Sequence, residues 1–238
     1  MHDVAREAGV SLITASRALG NPGVVSKKTI AKVQAAVEAT GYIPNLLAGG
    51  LKSKRSLMVA GVVPALAVSQ FLPTVQALTN ELSAAGYQLL LGQTNYDADV
   101  EASVLNTMIG RQPDGIVITG LVQSDAARDR LRRSRIPVVE TWDLSDQPID
   151  KLVGFSHQKV GQALGEYFLN KGWTHIGIAS GSDHRARMRR DGFIEALGRD
   201  VPTAFVEPPS KLERGRRALA DLLAREPRLD AVCCSSDQ

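Results

Sequence analysis

The stretch "DVAREAGVSLITASRAL", residues 3–19, decides the fold of the N-terminal part of the chain. Apolar residues at helical spacing in residues 4–8 predict one short helix, and Gly9 is placed for a left-handed helix end. Ser11 is a favourable N-cap for a second helix, whose periodicity ends near Gly20. Two short helices joined by a tight glycine turn predict a helix-turn-helix.

The second helix of this pair has an unusual outward face. It carries two aliphatic side chains among hydroxyls and one arginine, whereas an ordinary surface helix would carry more Lys and Glu. Its members are Ser11, Leu12, Ile13, Thr14, Ser16 and Arg17. This face either contacts another molecule or packs against the protein's own body.

A third helix and a linker follow. Ser26 is the predicted N-cap of this helix, several lysines mark its N-terminal half, and Gly41 ends it. Residues 42–56 read as a linker, because Pro44 disfavours helix for the residue before it. The predicted division is a helix-turn-helix domain at 1–44 and a hinge at 45–56, followed by two lobes at 57–156 and 157–238.

Charge is distributed unevenly along the 238 residues. The net charge of +3 divides into +5 for residues 1–55 and −2 for residues 56–238. A compact basic head on a nearly neutral body indicates a nucleic-acid contact in the head. No apolar run approaches the length of a membrane span, and the N-terminus lacks the apolar core of a signal peptide. The adjacent Cys233 and Cys234 suit buried reduced thiols, and we expect a cytoplasmic protein without membrane association.

From residue 57 the pattern changes to alternating strands and helices. Nearly continuous apolar runs predict strands buried on both faces, as in a parallel sheet, at 57–63, 88–93, 115–120, 136–142, 152–155, 175–180 and 230–236, with a weaker strand at 204–207. Helices are predicted at 71–85, 98–111, 124–134, 157–171, 185–198 and 213–225. Because 143–156 lacks a helical pattern, we expect it to cross between two lobes. This alternation predicts a doubly wound α/β body, in which ligands bind beyond the carboxyl ends of the strands.

The two ends of the sequence are abrupt. Met1 falls at the start of the first helix, and Gln238 follows a strand where a covering helix is expected. We therefore expect a chain truncated at its C-terminus, with an incomplete second lobe.

The sequence resembles the lactose-repressor family of bacterial transcription regulators. The resemblance is carried by "DVAREAGVSLITASRAL", "VSKKT" and "GYIPN" in the head, and by "DGIVITG", "WDLSDQ", "GFSH" and "RRDGF" in the body. It covers essentially the whole chain, and "ETWDLSDQPIDKLVGFSH" looks most like the gluconate-type repressors. It implies a small all-α head joined to a two-lobed α/β body like that of the periplasmic binding proteins. The implied protein is a homodimeric repressor of a near-palindromic operator, controlled by a small effector.

The resemblance also implies roles for individual residues. Thr14 and Arg17 fall on base-facing positions, and Leu12 and Ile13 fall on positions that vary with operator sequence. Phosphate contacts are implied for Ser11, Ser16, Ser26 and Thr29, and entry into the minor groove for the hinge residues Ala48 and Leu51. These residue types suit the roles. Arg pairs with guanine, aliphatic groups contact thymine methyls, and a Leu side chain can insert between neighbouring base pairs and unstack them.

Effector contacts are implied for residues near strand ends, namely Gln70, Phe71, Asp143, Arg189 and Ser236. These residues would suit a sugar acid such as gluconate, because Arg can bind an acidic group and Asp can accept hydrogen bonds from hydroxyls. Two plainer interpretations stay open: Asp143 as a turn residue, and Arg185, Arg187, Arg189 and Arg190 as a solvated helix face.

Other functions have weaker support. A sugar-binding protein of transport would share the body but not the head, and a regulator responding to another sugar or a purine is a further alternative. The four histidines have no carboxylate or cysteine at metal-ligand spacing, and the sequence has no P-loop, dinucleotide fingerprint or nucleophile elbow. We therefore expect neither an enzyme nor a metal site, and no cofactor.

Overall fold

The computed structural model describes residues 1–43, 55–66, 69–207 and 211–236. The chain divides into two compact units, Met1–Ser56 and Leu57–Gln238. The described part of the first unit contains three helices: α1 at His2–Glu7, α2 at Leu12–Gly20 and α3 at Lys27–Thr40. A single 3₁₀ turn, Pro22–Val24, lies between α2 and α3.

The predicted helix ends of the head are confirmed. The hydroxyls of Ser11 and Ser26 accept hydrogen bonds from backbone N–H groups in the first turns of α2 and α3. Gly9 and Gly41 have φ angles of +62° and +60°, the left-handed conformation that glycine adopts without strain. The three helices share one small core, made of Val4, Ala8, Ala18, Val33 and Ala36.

The second unit alternates strands and helices as predicted. The strands are β1 Met58–Val63, β2 Gln88–Gln93, β3 Gly115–Thr119, β4 Val138–Thr141, β5 Lys151–Val153, β6 Ile176–Gly181, β7 Thr203–Val206 and β8 Ala231–Cys234. The helices are α4 Leu72–Ala84, α5 Ala98–Gly110, α6 Asp125–Ser134, α7 His157–Asn170, α8 His184–Leu197 and α9 Leu212–Arg225. A 3₁₀ turn, Ser69–Phe71, precedes α4.

The strands form two parallel sheets, one in each lobe. The first has the order β2-β1-β3-β4-β5 and the second has the order β7-β6-β8. The segment that crosses between the lobes is shorter than the predicted 143–156. Residues 151–153 form β5, which pairs with β4 and so belongs to the first sheet. Residues 154–156 then lead into α7. The doubly wound α/β prediction is confirmed.

The prediction that every strand is buried on both faces is wrong for the edge strand β5, where Val153 is 68% exposed, and for β2. This strand is at the edge of its sheet and alternates between exposed and half-buried residues, with Leu91 37% exposed. An edge strand has a neighbour on one side only, so apolar composition alone does not guarantee burial. Strand β1, which lies between β2 and β3, fits the prediction, since five of its six residues are buried.

Helices α7 and α8 approach each other unusually closely. A Cβ atom on Gly161 would lie 1.9 Å from the carbonyl oxygen of Arg189, and one on Gly192 would lie 2.2 Å from the carbonyl oxygen of Gln158. Both positions therefore require glycine. This contact fixes the N-terminal half of α8 beside the start of α7, where polar side chains converge.

Candidate DNA-reading helix and effector cavity

The N-terminus of α2 presents the side chains that the sequence assigns to DNA. Leu12 and Ile13 are 39% and 64% exposed, and Arg17 is exposed as well. Ala15 and Ala18 on the opposite side are buried in the head core. Within residues 1–43, Leu12 and Ile13 are therefore not part of the core.

Two serine–threonine pairs begin α2 and α3 in the same way. The hydroxyls of Ser11 and Thr14 lie 2.9 Å apart, as do those of Ser26 and Thr29. Each pair lies at a helix N-terminus, where backbone N–H groups and the helix dipole favour an anion such as a phosphate. Ser16 is exposed on α2. The hinge residues Ala48 and Leu51 lie outside the described residues.

A cavity of about 240 Å³ lies in the second unit, at the carboxyl ends of β1, β2, β3 and β4 and at the N-terminus of α8. Residues of both lobes line it. Its polar and charged lining residues are Thr94, Tyr96, Asp97, Glu101, Thr119, Gln123, Asp143, Ser182, Asp183, His184, Arg185 and Arg187. The position agrees with the rule that ligands of doubly wound folds bind beyond the strand ends.

Asp143 forms part of the cavity wall and is only 1% exposed. One of its carboxylate oxygens accepts a hydrogen bond from the backbone N–H of Leu144 at 2.8 Å, and the other has no hydrogen bond from the described residues. A Cβ atom on Gly154 would lie 2.0 Å from the Asp143 carbonyl oxygen, so glycine is needed there. The free oxygen can accept a hydrogen bond from a ligand hydroxyl.

Strained backbone borders the cavity. Asn95 and Tyr96 have φ angles of +55° and +62°, and Trp142, beside Asp143, has a φ angle of +67°. Non-glycine residues adopt this conformation infrequently, and such strain is concentrated at functional sites. Burial raises the pKa of the Tyr96 hydroxyl, while the positive charge of Arg185 opposes the shift. Burial likewise raises the pKa of Glu101, although the backbone N–H of Gln123 partly stabilises its carboxylate.

Arg189 lies behind the cavity lining rather than in it. One terminal nitrogen is 2.7 Å from Nδ1 of His157, and the other donates to the carbonyl oxygen of Ser235 at 3.0 Å. Nε2 of His157 is 2.8 Å from the Trp142 carbonyl oxygen, which makes this nitrogen the donor and Nδ1 the acceptor. Burial, the neighbouring Arg189 and Arg185 all lower the pKa of His157, outweighing the Trp142 carbonyl, so the ring is neutral at pH 7.

Burial also lowers the pKa of Arg189, and its Nε is buried without a hydrogen-bond partner. The guanidinium nonetheless stays protonated, since an arginine side chain does not lose its proton in a protein. Arg189 and His157 together connect the end of β4, the start of α7 and the end of β8. This chain of hydrogen bonds holds the two lobes in one arrangement.

The other predicted effector residues lie at different places. Phe71 is fully buried behind the cavity, edge-on to Trp142 at 5.3 Å between ring centroids, and Gln70 beside it is exposed. Ser236 lines a separate hollow with residues of α9. Of the predicted set, Asp143 alone lines the main cavity among the residues that the structure describes, and the effector role of every member stays a prediction.

Sequence reasoning missed Tyr96, His157 and Arg185. Tyr96 could have been found, because it follows β2 closely and side chains after parallel strands meet at one edge of the sheet. His157 was interpreted only as a helix start, and its two hydrogen-bond partners are distant in sequence. Arg185 was grouped with three other arginines of the same helix, and nothing local separates them.

The sequence comparisons identify both units of the chain. Residues 1–45 match the family described as "Bacterial regulatory proteins, lacI family". Residues 56–238 match "Periplasmic binding proteins and sugar binding domain of LacI family". The chain belongs to the LacI family. It is thus a transcription regulator with a helix-turn-helix head and a periplasmic-binding-protein-like body, which confirms the predicted family and fold class.

Individual transcription regulators are similar to this chain over about three quarters of its length or more. The HTH-type transcriptional regulator GntR of Pseudomonas aeruginosa is 34% identical over 243 residues, covering 100% of this chain and 71% of that protein. A LacI-family regulator of Silicibacter pomeroyi has a TM-score of 0.91 and 37% identity, over 98% of this chain and 72% of that one. GntR of Chromobacterium violaceum has a TM-score of 0.69 and 34% identity, over 74% of this chain and 67% of that one.

Membership of the LacI family confirms the prediction of a DNA-binding regulator over an enzyme. Across residues 1–43, 55–66, 69–207 and 211–236, no helix is long and apolar enough to cross a membrane. The same residues contain no group of three or more His, Cys, Asp or Glu arranged to hold a metal ion.

Proposed function

We propose that this LacI-family regulator is a repressor that binds a near-palindromic operator as a homodimer and responds to a sugar acid such as gluconate. The head proposed for DNA comprises residues 1–44, the hinge 45–56, and the effector-binding lobes 57–156 and 157–238. The observation that carries the effector proposal is the cavity at the strand ends, which combines the buried carboxylate of Asp143 with nearby arginine side chains.

The chemistry of the cavity favours a polyhydroxylated acid. Asp143 and Glu101 are acceptors for hydroxyl groups, and Tyr96, Thr94 and Thr119 can both donate and accept. Arginine pairs well with carboxylate. The volume of about 240 Å³ is below the range of about 300–1,000 Å³ typical of pockets for drug-sized ligands, which favours a single monosaccharide unit.

The α2 face supports the operator proposal. Leu12 and Ile13 are exposed beside Thr14 and Arg17, and these side-chain types suit thymine methyl groups and guanine. Ser11, Ser16, Ser26 and Thr29 are proposed as phosphate contacts, and Ala48 and Leu51 as minor-groove contacts. An effector can change operator affinity only by binding one arrangement of the lobes more tightly than another.

The experiment has two steps on the full chain. An operator is first enriched from a pool of random duplexes, and its affinity is measured with and without gluconate and at several salt concentrations. We expect a palindromic consensus, affinity that falls steeply with salt, and a change in affinity on adding gluconate. Calorimetry then measures gluconate binding directly. A chain that enriches no sequence would contradict the operator proposal, and one that binds no sugar acid would contradict the effector proposal.

A further inference from the structure

The N-terminal half of α8 contains four arginines, and three of them make polar contacts within the protein. Arg187 donates to the carbonyl oxygen of Ser182 at 2.6 Å. Arg189 contacts His157 and the Ser235 carbonyl, and two nitrogens of the Arg190 guanidinium donate to Oδ1 of Asp191. Arg185 differs, because its guanidinium makes no hydrogen bond or ion pair with the described residues.

Arg185 lies in the wall of the cavity and is half-buried. Its guanidinium lies over the ring of Phe71, 5.3 Å from the centroid, and a Cβ atom on Gly120 would be 3.8 Å from its Nη1. Arg185 belongs to the second lobe, whereas Phe71 and Gly120 belong to the first. The side chain therefore reaches from one lobe to the other across the cavity.

In this geometry the guanidinium of Arg185 can bind an anion. When arginine stacks on an aromatic face, the N–H groups in its plane remain available for hydrogen bonds with a carboxylate. The neighbouring Asp183 forms no ion pair with the guanidinium of Arg185; its Oδ1 accepts the backbone N–H groups of Arg185 and Ala186 as the N-cap of α8. A half-buried guanidinium in a cavity wall has lost part of its hydration, so an anionic ligand group beside it would be bound favourably.

We propose that Arg185 binds the carboxylate of the effector and thereby determines the preference of the cavity for acids over neutral sugars. This inference rests on the proposed function, since it names the group that recognises the acidic end of the same ligand. Asp143 binds the hydroxyls, and Arg189 is a positioning residue that acts through His157 and the Ser235 carbonyl. Because Arg185 contacts both lobes, the carboxylate also favours the lobe arrangement in which Arg185 reaches Phe71.

The test compares gluconate with gluconamide, in which a neutral amide replaces the carboxylate. Calorimetry on the full chain is carried out for the parent and for the Arg185→Gln, Arg185→Lys and Arg190→Gln variants. We expect the parent to prefer gluconate by about tenfold to a hundredfold, the range for a hydrogen bond between charged groups. Arg185→Gln loses this preference, Arg185→Lys keeps part of it, and the matched control Arg190→Gln, on the same helix but outside the cavity lining, keeps all of it.

Two further measurements separate recognition from folding. Arg185→Gln should melt within a few degrees of the parent, because it removes the stacking of the guanidinium on Phe71 but no hydrogen bond with the described residues. Arg189→Gln should lower the affinities for gluconate and for gluconamide by the same factor, as expected of a positioning residue.

The possible failures are distinguishable. If Arg185→Gln keeps the preference for gluconate, the inference is overturned and the proposed function stands. A parent that binds both ligands equally overturns the inference and the acid specificity together. A parent that binds neither overturns the effector proposal, and the inference with it.

Discussion

The α2 face of the head and the cavity of the body expose their functional side chains to very different degrees. Ile13 is 64% exposed and belongs to a single helix, whereas Asp143 of the cavity wall and Phe71 behind it are 1% and 0% exposed and follow different strands. The residues proposed to read DNA are therefore free of the packing that stabilises the head. In the body, the residues of the cavity wall also hold the fold together.

This difference predicts that substitutions in the head can change DNA affinity without changing stability. In the body, substitutions around the cavity should change effector affinity and stability together. Tryptophan fluorescence offers a convenient probe, because both tryptophans, Trp142 and Trp173, lie in the second unit. Unfolding followed by this signal reports on the body alone.

The largest effect is expected for Arg128→Leu. Arg128 contacts the fully buried Glu140 at 3.3 Å, and the other oxygen of Glu140 accepts the backbone N–H of Ile149 at 2.8 Å. Leucine leaves the buried carboxylate without its cation, at a cost of about 3–5 kcal/mol in the free energy of unfolding. Arg128 also donates to the carbonyl oxygen of Gln147, so the segment between β4 and β5, which carries Asp143, loses one of its contacts and gluconate binding should weaken too. Urea unfolding followed by tryptophan fluorescence measures the first effect and calorimetry the second.

The control for this substitution is Arg133→Leu on the same helix. Arg133 pairs with Asp129 at 3.7 Å, but both side chains are exposed, and such pairs contribute less than about 1 kcal/mol. Equal losses in the two variants would show that burial of Glu140 is unimportant.

Gly161→Ala tests the close contact between α7 and α8. The added methyl would lie 1.9 Å from the Arg189 carbonyl oxygen and must push the helices apart, which we expect to cost about 1–3 kcal/mol of body stability. Gly215→Ala in α9 is the matched control, because no described atom lies within 4 Å of its Cβ position. The control should be neutral or more stable by up to about 1 kcal/mol, since alanine favours helix. Similar urea midpoints for the two variants would contradict the interpretation.

Arg17→Ala is expected to affect binding without affecting stability. The side chain is exposed on α2, and a lost arginine–guanine contact should cost about 1–3 kcal/mol of operator affinity and relax one base position. Arg6→Ala removes the same charge from the head, but Arg6 pairs with Asp3 within α1. Fluorescence anisotropy with the enriched operator compares the two variants. If Arg17→Ala weakens binding no more than Arg6→Ala does, Arg17 does not read a base.

The smallest effect concerns pH. Burial lowers the pKa of His157 below its ordinary value of 6.5, so the folded body resists a proton that the unfolded chain accepts. The stability contributed by the neutral ring is present above pH 6.5 and is lost as pH falls through the folded pKa. Between pH 7 and pH 5 the melting temperature of the parent body should fall. The melting temperature of the His157→Gln variant should fall less over the same range. A flat parent profile, or a His157→Gln variant whose melting temperature falls as much as that of the parent, would be the contrary result.

The amino-acid sequence by itself determined the elements and the head. Caps such as Ser11 and Ser26, the glycine ends of α1 and α3, and the alternation of strands and helices are local signals, because each depends on residues within one or two turns. The α2 face was equally predictable, since helical periodicity alone decides which side of seven consecutive residues turns outward.

Only the tertiary structure decided the cavity. The sequence contains four arginines within six residues of α8, and no local pattern indicates which of them faces a ligand. The packing of α7 against Gly192 turns Arg189 towards His157 and leaves Arg185 over Phe71, more than a hundred residues away in the chain. Ser236 was likewise predicted at the pocket rim but lines a different hollow. These side-chain positions depend on close packing between segments that are distant in the sequence. Such packing is the sum of many weak contacts, and no short stretch of sequence reveals it.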